Sequence, residues 1–137
     1  MHKDLFIGVM TGTSADGIDV CLVSFQHSKV ELIASVSLGF TVGIKSEIKS
    51  LCLPDQNELF RAHSLGIELS LLAAKQINQL LALNKISPSD VCAIGYHGQT
   101  VRHHPDAKHP FSIQIGCGST LAHHTKIQTI TDFRTGL

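Results

Sequence analysis

GVMTGTSADGID, residues 8–19, lies between two apolar runs, DLFI (4–7) and VCLVSF (20–25). Six of its twelve residues are Gly, Thr or Ser and two are acidic, so a polar tip joins two strand-forming segments. Gly12 and Gly17 permit tight turns and the close approach of a ligand. Thr11, Thr13 and Ser14 supply hydroxyls, and successive backbone N–H groups in a turn form an anion-binding concavity. A triphosphate needs many donors and little bulk, which this segment offers. Asp16 and Asp19 are hard oxygen ligands that suit Mg²⁺ directly or through water. The GxxxxGK[ST] and GxGxxG patterns are absent. An ordinary hairpin turn explains the same composition, because Gly, Asp, Ser and Thr dominate turns. Asp16 and Asp19 as a general acid and base is the weaker reading, since the spacing implies no fixed geometry.

Outward from this tip, residues 5–10 and 18–25 read as an antiparallel strand pair. Residues 30–40 read as a third strand, with 26–29 as the turn. Residues 43–52 form a short helix. Asp55 and Glu58, three apart, predict a capped helix start after Pro54. Apolar residues at 59, 60, 67, 71, 74, 77 and 81 predict one long amphipathic helix, or two abutting ones, over 58–83. Residues 91–96 (VCAIGY) read as a short, central buried strand, 97–110 as a long polar loop, and 112–115 as a strand. A brief helix over 118–124 and a strand over 126–131 complete the chain. Three strands in a meander followed by strand–helix alternation predict an α/β domain with a mixed β-sheet, three antiparallel N-terminal strands and flanking helices. This order resembles the ribonuclease-H-like fold shared by actin-like ATPases, in which the first hairpin tip touches ATP phosphates.

Acidic and basic residues balance at 11 each, so no electrostatic footprint for nucleic acid exists. No apolar run reaches the length of a membrane span, and MHKDLFIGVM lacks the apolar stretch of a signal peptide. The four cysteines include no CxxC pair, which favours reduced thiols in the cytoplasm over a disulfide framework.

GYHGQTVRHHP (95–105) follows a strand, where open α/β sheets place ligands. His97, Gln99 and Thr100 offer hydrogen-bonding groups for a polyhydroxylated ligand, or simply bond their own loop. His97, His103, His104 and His109 fit no zinc spacing. His123 and His124 read as an exposed helix end. In TDFRTG (131–136), Arg134 can clamp a carboxylate with Asp132 orienting it, or form a surface ion pair worth little.

GVMTGTSADGID, GYHGQTVRHHP, SIQIG and DFR, in this order and spacing, resemble the anhydro-N-acetylmuramic acid kinase family from residue 6 to 134. Its members are more than twice as long. The resemblance implies that residues 1–137 are the N-terminal ribonuclease-H-like lobe of a longer cytoplasmic kinase, with the second lobe outside this chain. It implies MgATP-dependent ring-opening hydrolysis of the 1,6-anhydro sugar and phosphorylation of O6 in bacterial cell-wall recycling. The implied partners are ATP and a small amino sugar, with neither nucleic acid nor membrane, and a homodimer is expected of the full-length protein. By this resemblance Gly12, Thr13, Ser14, Ala15, Asp16, Gly17, Ile18 and Asp19 match the ATP-binding motif, with Asp16 holding Mg²⁺ through water. His97, Gln99 and Arg134 fall on the sugar side. The general base is expected beyond Leu137, so residues 1–137 alone are expected to be inactive. The family pattern usually carries Asp at Cys117, Gly at Lys126 and an aromatic at Arg102, so this chain departs from it at three positions. The rival readings are a non-catalytic ribonuclease-H-like scaffold or interaction domain, and a metal-binding protein using the nine histidines.

Overall fold

The computed structural model describes residues 4–12 and 14–134; Thr13, and the ligand role expected of it, lies outside the described residues. Strands β1 (Asp4–Met10), β2 (Gly17–Gln26) and β3 (Lys29–Gly39) form the antiparallel meander. Met10 stands opposite Asp19, and Ile18 opposite Leu38. Alternation explains this register: Leu5, Ile7 and Val9 are buried on β1, and Ile18, Val20 and Leu22 on β2. The β2–β3 turn has positive φ at both His27 and Ser28, as a two-residue turn matched to strand twist requires.

Helix α1 (Val42–Leu51) starts at Thr41, whose hydroxyl accepts the Ile44 N–H at 3.2 Å. Helix α2 (Glu58–Leu83) is one continuous helix. Its start differs from expectation. Glu58 does accept the Asp55 N–H (3.1 Å), but the Asp55 carboxylate accepts from Gln56 N and Ser50 Oγ instead of capping the helix. Asn57, with φ 52°, occupies the cap position without a side-chain bond. The buried stripe of α2, including Leu65, Leu69, Ala73, Ile77 and Leu81, packs on the inward face of the meander. Each large side chain buried there contributes about 1.5–3 kcal/mol.

Strand β4 (Val91–Tyr96) lies parallel to β1, and β7 (Thr129–Ile130) lies parallel to β4. The five-stranded sheet therefore runs β3-β2-β1-β4-β7 and is mixed, with β1 rather than β4 at its centre. Two expectations are corrected. Residues 97–110 are not one loop, because β5 (Gln99–His104) pairs antiparallel with β6 (Phe111–Ile115) in a separate sheet. Gln99 and Val101 point inward there, and one apolar residue in a polar run hid the alternation. Among the described residues there are thus seven strands where the sequence predicts six. The last strand also shrinks from 126–131 to two residues. Lys126 ends helix α3 (Gly118–Thr125) in a left-handed conformation, φ 63°, and Ile127 turns into the core.

Because β1, β4 and β7 run the same way, the segments that follow them (11–16, 97–98 and 131–134) emerge at one edge of the sheet. GVMTGTSADGID, GYHGQTVRHHP and DFR therefore meet there.

Candidate functional site

The hairpin tip is closed by the Ala15 N–H donating to Gly12 O at 3.0 Å, with Ala15 at φ 54°. Phe40 N–H donates to Asp16 O at 2.9 Å and ties the tip to the end of β3. Gly17 is required by its own neighbour: a Cβ there would sit 2.1 Å from the Leu38 carbonyl oxygen. Ser14 and Asp16 stand exposed, while Ala15 packs against the core and Ile18 is 1% exposed within it. The exposed Asp19 carboxylate accepts from Ser37 Oγ at 2.6 Å across the β2–β3 ladder. Asp16 stands exposed at the tip itself, whereas Asp19 is engaged on the β2–β3 ladder.

Two hydrogen bonds, one buried and one part-buried, brace this tip to the second motif. Thr11 Oγ1 donates to Gly98 O at 2.9 Å, and Gln99 Nε2 donates to Gly12 O at 3.1 Å. Gln99 also donates to Thr100 O, and its Oε1 is buried without a hydrogen-bond partner among the described residues. At 1% exposure Gln99 holds the loop rather than facing the cleft.

A cleft of about 160 Å³ opens beside the tip, lined by Tyr96, His97, Gln114, Asp132 and Arg134 and by the glycine-rich backbone at 98, 116 and 118. His97 and Arg134 are brought together here; Gln99 is not among the lining residues. Burial, and then the positive charge of Arg134, push the His97 imidazole below its usual pKa, against an opposing hydrogen bond with the Gly98 backbone. The ring is consequently neutral near pH 7. Phe133 meets it edge-on at 6.0 Å.

Sequence reasoning gave no role to Ser70, Tyr96 or Gln114, although Tyr96 and Gln114 lie within the quoted GYHGQTVRHHP and SIQIG segments. Ser70 Oγ donates to Gly66 O and accepts the Cys117 N–H, both at 2.8 Å, and contacts Tyr96 Oη at 3.2 Å. A serine inside the apolar stripe of α2 was the available clue, since it must bond back to the i−4 carbonyl or to another element. Burial holds the Tyr96 phenol above its usual pKa, with the Ser70 contact opposing.

His103, His104, His109, His123 and His124 are exposed, and among the described residues no three His, Cys, Asp or Glu side chains converge on a metal position. All four cysteines are free thiols. Among the described residues no helix is long and apolar enough to cross a membrane.

A sequence profile described as anhydro-N-acetylmuramic acid kinase matches residues 4–136. The chain belongs to this family. Similar curated relatives carry that name in Colwellia psychrerythraea (46% identical, covering 94% of this chain and 33% of the relative) and Saccharophagus degradans (44%, 98% and 37%). A third, from Shewanella pealeana, is 42% identical over 98% of this chain and 36% of the relative. The chain thus spans about a third of the length of these family members. The three departures from the family pattern have local structural roles, and none lines the cleft. Cys117 caps α3, its Sγ accepting the Thr120 N–H at 3.4 Å, and hydrogen bonds from Thr120 hold the thiol below its usual pKa. Lys126 is the left-handed end of the same helix. Arg102 donates to Leu51 O and pairs with Glu58 at 2.5 Å.

Proposed function

We propose that the full-length protein is an ATP-dependent sugar kinase. It opens the 1,6-anhydro ring of 1,6-anhydro-N-acetylmuramic acid with water and phosphorylates O6, giving N-acetylmuramate 6-phosphate in bacterial cell-wall recycling. The observation that carries this reading is the convergence of the 11–16, 97–98 and 131–134 segments at the carboxyl edge of β1, β4 and β7, in a member of a kinase family. Ligands of open α/β sheets bind at that edge. The strand order β3-β2-β1-β4-β7 and the helices packed on the sheet support a ribonuclease-H-like, actin-like ATPase lobe.

In this reading the amides and hydroxyls of the segment from Gly12 to Asp19 hold the ATP phosphates. Asp16, exposed at the tip, holds Mg²⁺ through water. When bound, the cation supplies neutralisation of phosphate charge. Thr11 and Gln99 keep the loop in register with the 97–98 turn, and His97 and Arg134 bind the sugar. The base that activates water lies outside this chain, so residues 1–137 alone have no kinase activity. The full-length enzyme works as a cytoplasmic homodimer on ATP and the amino sugar, without nucleic acid or membrane.

The test is nucleotide titration and a phosphorylation assay on the full-length protein, with and without Gly12→Val. Sugar-dependent ATP consumption by the wild type is expected, with roughly tenfold weaker nucleotide binding in the variant, about 1.4 kcal/mol. Equal affinity in both proteins would favour the non-catalytic scaffold. Phosphorylation by residues 1–137 alone would refute the assignment of the base.

A further inference from the structure

Helices cover one face of the five-stranded sheet and leave the other bare. The steps from β1 to β4 and from β4 to β7 go the same way along the sheet, and right-handed connections put α2 and α3 on the same side. All three helices pack into the core built on Leu5, Ile7 and Val9, and no side chain from the opposite face of β1 or β2 belongs to that core. On the opposite face Met10, Val30, Leu32 and Ile130 are each more than half exposed, and Phe6 meets Phe25 edge-on at 5.3 Å. Between Asp4 and Asp19 at its two ends, β1 and β2 carry no charge on this side. A sheet face that stays in water is polar, and sheets with parallel strands are ordinarily covered on both faces.

The middle of this face is a trough. Gly8 on β1 stands beside Gly95 on β4. A Cβ on Gly8 would meet nothing within 4 Å, and one on Gly95 only the Phe133 ring, at 4.0 Å. The segment after β7 therefore already leans over this floor. Phe25 on β2 and Ile130 on β7 stand up on either side. Those strands are three strand spacings apart, about 14 Å, and an α-helix with its side chains is about 10–12 Å wide. A floor without Cβ atoms lets a helix come close. A strand does not fit there, because β1 and β4 are already paired on both sides and offer no free backbone edge.

We infer that this trough is the seat of an apolar helix supplied by the part of the full-length protein outside residues 1–137. The matched relatives are about three times as long as this chain, so the same polypeptide has ample length to supply it. The inference rests on the bare face and on that length, and is independent of the sugar-kinase reading.

The experiment uses the full-length protein without ligand. With the photoreactive substitution Leu32→p-benzoylphenylalanine, irradiation is expected to crosslink position 32, within one chain, to a segment outside residues 1–137, located by mass spectrometry. Alkylation of the half-buried Cys21 thiol, opposite Gly8 in the register, reads coverage independently. It is expected to be about a hundredfold slower than in the urea-unfolded protein, at low and high protein concentration alike, because it must wait for the face to open. Gly8→Val fits the strand but fills the seat, and is expected to raise the Cys21 rate about tenfold. A wild-type Cys21 rate near that of the unfolded protein overturns the inference, whether or not the variant folds. So does an unchanged rate in Gly8→Val. Crosslinks confined to residues 1–137 overturn it as well, and crosslinks between chains, with protection only at high concentration, would seat a second copy there instead. Because no nucleotide or sugar is added, failure of the kinase reading would show only in the phosphorylation assay, and the two failures are separable.

Discussion

Replacing Gly17 by Ala tests whether the hairpin tip between β1 and β2 is held by backbone contact with β3. The new methyl carbon would lie 2.1 Å from Leu38 O, 2.9 Å from Leu38 C and 3.0 Å from Gly39 Cα. All three are backbone atoms, so no rotamer change relieves the clash. Reaching ordinary contact at 3.4 Å requires the Leu38 carbonyl to retreat by about 1.3 Å, the difference of 3.4 and 2.1. That movement opens the Gly17–Gly39 end of the ladder and stretches the Phe40 N–H bond to Asp16 O. Overpacking costs about 1–3 kcal/mol, and a weakened hydrogen bond about 0.5–1.5 kcal/mol. The expected loss is therefore roughly 2–4 kcal/mol. Urea unfolding of the chain reads this as a midpoint lower by about 1–2 M, for an m-value near 2 kcal/mol/M. Gly12→Ala is the internal control, since its methyl would meet nothing nearer than Ser14 Oγ at 3.5 Å. Its midpoint should stay close to that of the wild type. A Gly17→Ala midpoint within about 0.3 M of wild type would refute the contact argument.

Three further outcomes are expected. Cys117→Asp and Lys126→Gly restore better residues to the two ends of α3, and each should raise stability by about 0.5–1 kcal/mol in denaturant melts. Gln99→Met removes the bond to Gly12 O and should cost about 1 kcal/mol, with faster amide exchange at Ala15 as the specific readout. Hydrogen bonds from Ser50, then Gln56 and Arg61, hold the Asp55 carboxyl at about 2, below its ordinary 3.8. A depressed folded-state value stabilises above the unfolded value and loses that contribution as pH falls. The wild type should therefore lose stability between about pH 4 and pH 2, and Asp55→Asn should flatten that part of the pH profile measured by thermal melts.

The meander was legible because β1 and β2 alternate cleanly, with Leu5, Ile7, Val9, Ile18, Val20 and Leu22 all turned to one side. The long helix declared itself by its spacing. Strand β5 did not, because QTVRHH offers only Gln99 and Val101 to the interior, and a buried glutamine looks like a loop residue in sequence. Asp55 was misplaced as a cap because Ser50 and Gln56 compete for its oxygens. The quoted motifs fall on segments that meet at one edge of the sheet, and distance separates their residues: Gln99 turns inward to Gly12 while His97 and Arg134 line the cleft. The contacts of Ser70 and Gln114 were not legible because their partners lie on other elements, 47 residues away for Cys117 and 17 for His97.

The brace between Thr11 and Gly98 joins residues 87 apart in sequence, alongside the parallel pairing of β1 with β4. On a chain emerging from the ribosome, the first three strands can zip together as soon as they are made, whereas their neighbour arrives much later. Until then the free edge of β1 is an unsatisfied template, open to mispairing with other chains. Closing so large a loop is the slow step in a topology of this kind. The mouth of the cleft is therefore among the last features to take shape, and nascent chains in transit depend on protection of that one strand edge.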